Sequence, residues 1–197
     1  MVNTDRLISQ MIQAFVSVVE AKDKYTTGHA LRVADYSMEI AKRLGLSKID
    51  QHNIYATGLL HDIGKIGVPD GILNKTSKLT DAEYEIIKTH TIVGADILES
   101  IDELPELSIG ARYHHERYDG TGYPSGLKGE EISKLAQIIA VADAYDAMTS
   151  SRSYRNPLEQ RVVRQELVKG LGTQFAPKIA GIMIAMIDED VNYTMKQ

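Results

Sequence analysis

The stretch His61-Asp62-Ile63-Gly64-Lys65 sets an imidazole, a carboxylate and an ammonium close together in an apolar run that includes Ile54, Leu59, Leu60 and Ile63. Burying an imidazole and a carboxylate there is costly unless a partner or a metal stabilises them. That pair suits a borderline divalent ion such as Mn, Fe or Zn. On one continuous helix, Lys65 would follow a turn after His61 on the same face, as a donor for an anion held on that ion. Other residues occupy similar settings. His29 falls early in a predicted helix, His90 at a helix end, and His114-His115 ahead of a glycine-rich segment. Asp143 closes the apolar run Ile138-Ile139-Ala140-Val141-Ala142. Singly, such a histidine is more often a satisfied core residue than a ligand. Several helices each delivering an imidazole or carboxylate from apolar surroundings is, however, how helical domains build metal sites. His52, between Gln51 and Asn53, lacks that setting and reads as a surface residue.

The elements that must position these groups read as helices throughout. Leu7, Ile8, Met11, Ile12, Phe15, Val18 and Val19 form the stripe of an amphipathic helix over 3–22. That face packs either on its own domain or on a partner helix. A second helix is expected over 28–44, ended by Gly45 as a C-terminal cap. The central helix is expected to start near Asp50 and to stop by Gly67-Val68-Pro69. Thr80-Asp81-Ala82-Glu83 is a capping box that opens a helix toward Lys88. Helical periods continue over 91–100 and 105–115, then over 130–149, 157–169 and 177–187. The one long irregular segment, 117–129, holds Gly120, Gly122, Gly126, Gly129 and Pro124. Loops of that length inside a domain are uncommon and often functional. Strand signals are nearly absent, so the fold class is all-α. The chain divides into an N-terminal amphipathic helix (1–22), a catalytic domain (23–190) and a short tail (191–197).

With 197 residues, 43% of them hydrophobic and 25% charged, the chain suits one globular domain with a sizeable core. A formal net charge of −5 argues against binding a DNA or RNA polymer, which wants a basic surface. It leaves room for a small anion, because bound divalent cations supply charge that the count omits. Without cysteine there is no disulfide, thiolate zinc site or cysteine nucleophile. No apolar run approaches the roughly 20 residues of a membrane span, and no signal-peptide pattern opens the chain, so a cytoplasmic setting is expected.

Residues 20–180 resemble the HD-GYP domain, a branch of the HD phosphohydrolases. The likeness runs through His61-Asp62-Ile63-Gly64-Lys65-Ile66-Gly67-Val68-Pro69-Asp70, then His90. It continues through His114-His115-Glu116-Arg117-Tyr118-Asp119-Gly120-Thr121-Gly122-Tyr123-Pro124 and Val141-Ala142-Asp143-Ala144-Tyr145-Asp146-Ala147-Met148, and ends at Arg152-Ser153-Tyr154-Arg155. The resemblance implies an HD-domain helical bundle that binds Fe or Mn and hydrolyses cyclic di-GMP to pGpG, sometimes on to GMP. It implies His29, His61, Asp62, His90, His114, His115 and Asp143 as metal ligands, with Asp62 bridging two ions. Lys65 would touch the scissile phosphate, and Asp146 would orient Lys65. Arg152, Arg155, Tyr123, Gly122 and Asp23 would meet the nucleotide, and the Gly122-Tyr123-Pro124 loop could dock a diguanylate cyclase. Seven ligands exceed one tetrahedral zinc and suit two ions, about 3.5–4 Å apart, that would hold a hydroxide between them. Tyr25 stands where three-metal members carry a glutamate, which favours two ions over three. Ser133, Gln137 and Ala176 also depart from the family pattern without removing a ligand.

Two other readings stay open. One keeps the site but changes the substrate to another cyclic dinucleotide or nucleotide. The other makes the domain a weakly active nucleotide-binding or cyclase-docking module. The N-terminal stripe is further expected to pair two copies as a homodimer.

Overall fold

The computed structural model of the protein describes residues 4–23, 27–150, 156–192 and 194–195. Tyr25, Arg152 and Arg155, each named above for a role, lie outside the described residues. Among the described residues the chain forms α-helices and two short 3₁₀ turns and no β-strand, as the periodicity predicts. The helices are α1 (Thr4–Lys22), α2 (His29–Arg43), α3 (Lys48–Leu60), α4 (Asp70–Leu73), α5 (Asp81–Lys88) and α6 (His90–Leu98). They continue as α7 (Glu106–Tyr113), α8 (Lys134–Thr149), α9 (Gln160–Lys169) and α10 (Pro177–Glu189). Among the described residues no helix is long and apolar enough to cross a membrane.

Local chemistry accounts for most ends. The Ser47 hydroxyl accepts from the Asp50 amide at the start of α3, and the Ser133 hydroxyl accepts from Ala136 at the start of α8. Thr80 and Glu83 close the expected capping box on α5. Gly45, at φ 73°, lets the chain turn left-handed after α2.

α8 lies at the centre. It buries Ala136, Ile138, Ile139, Val141, Ala142 and Tyr145, on nearly every side of the helix, the mark of a helix enclosed by others. α2, α9 and α10 close over it with Val33, Ile40, Val163, Leu167 and Met183. A second cluster joins Val19 of α1 to Leu60, Ile63, Leu98 and Leu107.

Two expectations change here. The central helix does not run to Gly67: α3 stops at Leu60 and a 3₁₀ turn spans Ile63–Gly67. The tighter turn bonds the Lys65 amide to the Asp62 carbonyl at 3.0 Å, so Lys65 stands over Asp62 rather than over His61. Gly64 makes this possible, because a Cβ there would fall 1.9 Å from the His90 carbonyl oxygen and 2.4 Å from the Gly94 nitrogen. The N-terminal stripe also splits. Val19 of the stripe is buried, together with Val16 outside it, while Leu7, Ile8, Met11, Phe15 and Val18 stay about half exposed.

Candidate metal centre

The ligand-bearing residues sit where helices begin, end or lie deepest. His29 and His90 open α2 and α6, His61 and Asp62 follow the last turn of α3, His114 follows α7, and Asp143 lies within α8. Asp62 is the hub. Its Oδ2 lies 3.5 Å from His29 Nε2, 3.4 Å from His61 Nε2 and 2.8 Å from Lys65 Nζ. Its Oδ1 lies 3.5 Å from His90 Nε2 and 3.8 Å from His114 Nε2. His29 Nε2 is also 3.5 Å from Asp143 Oδ1. The His115 ring sits 4.1 Å from that of His114 and 5.1 Å from that of His90, centroid to centroid. Donor atoms thus gather as His29–His61–Asp143, His90–His114–His115 and His61–Asp62–His114, each set within 4.8 Å. All seven residues expected as ligands are brought together; His52 stays exposed, its Nδ1 2.6 Å from the Lys48 carbonyl.

The back sides of the rings show what the front sides are for. His61 Nδ1 lies 2.7 Å from the Gly58 carbonyl, His90 Nδ1 2.7 Å from Ile87 and His114 Nδ1 2.9 Å from Ala111. A carbonyl only accepts, so each Nδ1 carries the proton and each Nε2 turns a lone pair toward Asp62. His61 Nε2 is buried without any hydrogen-bond partner. Lone pairs converging on a carboxylate form a set that a cation satisfies. The residues present therefore fit the divalent ions that HD domains bind.

Electrostatics agree. Burial, together with the neighbouring imidazoles of His61 and His90, depresses His114 to about 3. His90 is also lowered and His115 is held well below its ordinary value, chiefly by burial. Burial opposes charge on His29 too, but Asp146, Asp62 and Asp143 together overcome it and raise that residue to about 9. Burial likewise opposes the Asp62 carboxylate, yet Lys65 and His61 keep it well below the usual range. Lys65 is held in its charged form by Asp62 and Asp23 against the same burial.

Asp146 does not orient Lys65, as the sequence suggested. It lies on the opposite side of His29, with Oδ2 2.7 Å from His29 Nδ1, and it takes the guanidinium of Arg32 through Nε and, at 3.1 Å, Nη2. Lys65 is held instead by Asp23, at 2.8 Å. Gly122 packs on the backbone rather than lining the site, since a Cβ there would fall 2.3 Å from the Arg117 nitrogen and 2.6 Å from the His115 oxygen. That close packing turns Tyr123 inward, its ring 4.8 Å from that of His115. Glu116 secures the loop from beneath, accepting from the Ser125 amide at 2.7 Å and from Leu127 at 3.0 Å.

A cleft of about 700 Å³ opens over the cluster, lined by Asp23, Lys65, His90 and Asp143 and, beyond them, by Lys75, Lys78 and Tyr84. A second cleft of about 460 Å³ shares Tyr84, His115, Tyr123 and Asp143 and runs toward α9. Sequence reasoning missed Arg32, Lys75, Lys78, Tyr84 and Glu116 as parts of the site. Only Glu116 carried a signal, a charge inside the His114-His115-Glu116 run whose burial marks a structural partner.

Comparison with known proteins places this geometry. The HD-domain profile matches residues 13–179. A 3′3′-cGAMP-specific phosphodiesterase of Vibrio cholerae is 42% identical over 77% of this chain and 33% of its own. A cyclic di-GMP phosphodiesterase of Thermotoga maritima is 39% identical over 91% of this chain and 50% of its own. The chain thus spans a third to a half of the length of these curated relatives. Among solved structures, the HDG"Y"P protein Bd1817 of Bdellovibrio bacteriovorus superposes with a TM-score of 0.68 at 21% identity, over 84% of this chain and 53% of its own. On the profile match and the ordered motifs together, the chain belongs to the HD-domain family, in its HD-GYP branch.

Proposed function

We propose that this chain is a metal-dependent phosphodiesterase acting on a cyclic dinucleotide, cyclic di-GMP to pGpG or further to GMP, with two Fe or Mn ions. One observation carries the reading: both oxygens of Asp62 are shared between imidazoles on opposite sides, with Lys65 at the mouth of the cleft. His29, His61 and Asp143 would hold one ion and His90, His114 and His115 the other, with Asp62 between. Such ions would supply Lewis-acid polarisation of the phosphoryl oxygens and an activated water.

The chain's own groups do the rest. Backbone carbonyls hold the Nδ1 protons of His61, His90 and His114 and Asp146 holds that of His29, which keeps these four Nε2 atoms free to coordinate. Lys65, charged and steadied by Asp23, meets the equatorial oxygens of the phosphate as charge builds there. Tyr123, stacked on His115, and Tyr84 bound the cleft where the bases enter.

The test is anaerobic loading with Mn or Fe, then nucleotide chromatography after incubation with cyclic di-GMP, 3′3′-cGAMP and cyclic di-AMP separately. Release of pGpG or GMP by the wild type, abolished in Asp62→Asn, supports the reading. Intact nucleotides in every incubation would refute it. A 3′3′-cGAMP substrate is the second reading, favoured by the 42% identity to the Vibrio cholerae enzyme. A module that docks a cyclase through Gly122-Tyr123-Pro124 draws less support, because Tyr123 faces inward.

We also propose that α1 pairs two copies, on the strength of the half-exposed Ile8, Met11, Phe15 and Val18. Their 3–4 spacing is that of a coiled-coil seam. On this proposal 1–22 is the pairing helix, 23–190 the catalytic domain and 191–197 a tail. Phe15→Glu and Ile8→Glu together should halve the mass seen by light scattering; an unchanged mass counts against pairing.

A further inference from the structure

A cyclic dinucleotide carries two phosphodiesters and loses one at a time. On the reading proposed above, the reacting phosphate sits against Asp62 and Lys65, while its twin keeps its charge inside the same cleft. The charges lining the cluster are already engaged, Lys65 with Asp62 and Asp23, and His29 with Asp143 and Asp146. Beyond the cluster, the charged part of the cleft lining comes from the segment after α4 and the first turn of α5, with Lys75, Lys78 and Asp81. Lys75 is spent on Glu83, at 2.7 Å and 2.6 Å from its two carboxylate oxygens. Asp81 stands in the first turn of α5, where the helix N-terminus favours its charge. Lys78 is exposed, and among the described residues no ion pair engages it.

The segment that presents Lys78 is fastened on both sides. Ahead of it, the Asn74 amide donates to the Lys22 carbonyl at 2.9 Å and Lys75 grips Glu83. Beyond it, the same Glu83 accepts from the Thr80 amide at 2.8 Å, while the Thr80 hydroxyl accepts from the Glu83 amide at 3.2 Å. One glutamate thus ties down both flanks, leaving an uncommitted ammonium on a fixed rim of the cleft.

We propose that Lys78 binds the phosphate that is not being cut, and so selects a cyclic dinucleotide over a simple phosphodiester. A charge-assisted contact to a phosphate oxygen at a partly open rim supports ground state and transition state alike, so the effect falls on KM.

The experiment compares the wild-type chain with Lys78→Gln and Lys78→Arg, all loaded with the same metal. Two substrates are used: the cyclic dinucleotide that the wild type cleaves, and bis(p-nitrophenyl) phosphate, which has a single phosphodiester. Lys78→Gln should raise KM for the cyclic dinucleotide about tenfold with kcat little changed, and leave kcat/KM for the simple diester at the wild-type value. Lys78→Arg should restore most of the affinity. An unchanged KM in Lys78→Gln would overturn the assignment, as would an equal loss on both substrates. If the wild type cleaves the simple diester and no cyclic dinucleotide, the substrate reading itself falls and takes this assignment with it.

Discussion

Asp146→Asn is the most informative single change. The carboxylate is 1% exposed, and it takes the His29 Nδ1 proton at 2.7 Å while both Nε and Nη2 of Arg32 bond to it. Asparagine keeps the shape but offers one acceptor and one donor. If its oxygen stays on His29, Arg32 Nη2 keeps that shared oxygen but the NH₂ faces Arg32 Nε, which loses its acceptor, and the guanidinium loses its counter-charge. If the amide turns over, the NH₂ faces His29 Nδ1 and drives the proton to Nε2, the atom that points at the cluster. Either way a metal-facing imidazole loses support, and loss of such a partner typically costs about 10–100-fold in metal affinity, or roughly 1.4–2.7 kcal/mol. Arg32 is 26% exposed at its side chain, so water offsets part of the stranded charge. We expect the metal-free variant to lose about 1–3 kcal/mol, below the figure for a fully buried pair. Competition against a chromophoric chelator gives the affinity, and urea unfolding followed by circular dichroism gives the stability. Asp188→Asn, which breaks an exposed pair with Arg164, is the matched control. Wild-type metal affinity in Asp146→Asn would refute the proton-holding role.

Other outcomes follow from the same geometry. Gly122→Ala forces a Cβ against the backbone of residues 115–117 and should shift Tyr123 off His115; we expect a loss of about 1–3 kcal/mol in stability and a larger fall in kcat/KM, read by urea titration and by turnover. His61→Ala should abolish hydrolysis while leaving far-ultraviolet circular dichroism unchanged, and retained turnover would contradict the site. The stability of chelator-treated protein should peak near pH 6.5. Below that pH, unfolded histidines bind protons that folded His90, His114 and His115 refuse, with His114 depressed to about 3, so stability falls as pH drops. Above it, the contribution of His29 disappears as pH rises through its folded value of about 9. Each group changes the slope by up to about 1.4 kcal/mol per pH unit, and urea midpoints at pH 5, 6.5 and 8.5 test it; a monotonic rise across that range would contradict the signs.

The residue types and their order along the chain announced much of this protein. Apolar spacing foretold the helices because helical period is a local property, written within a turn or two. The seven candidate ligands were legible because imidazoles and carboxylates embedded in apolar helical runs need partners, and because the motifs that carry them resemble those of a known family. What touches the back of each ligand was not legible. Asp146 and His29 are 117 positions apart, and the packing of α2 against α8 decides that they meet. Similarly, the spacing of His61 and Lys65 suggested a continuous helix, but the close approach of Gly64 to the first turn of α6 forces the tighter turn. The one-sided burial of α1 and the placing of Lys78 on the cleft rim were likewise left to tertiary packing. Chain order states which groups seek partners, and only the packed helices determine which partner each one finds.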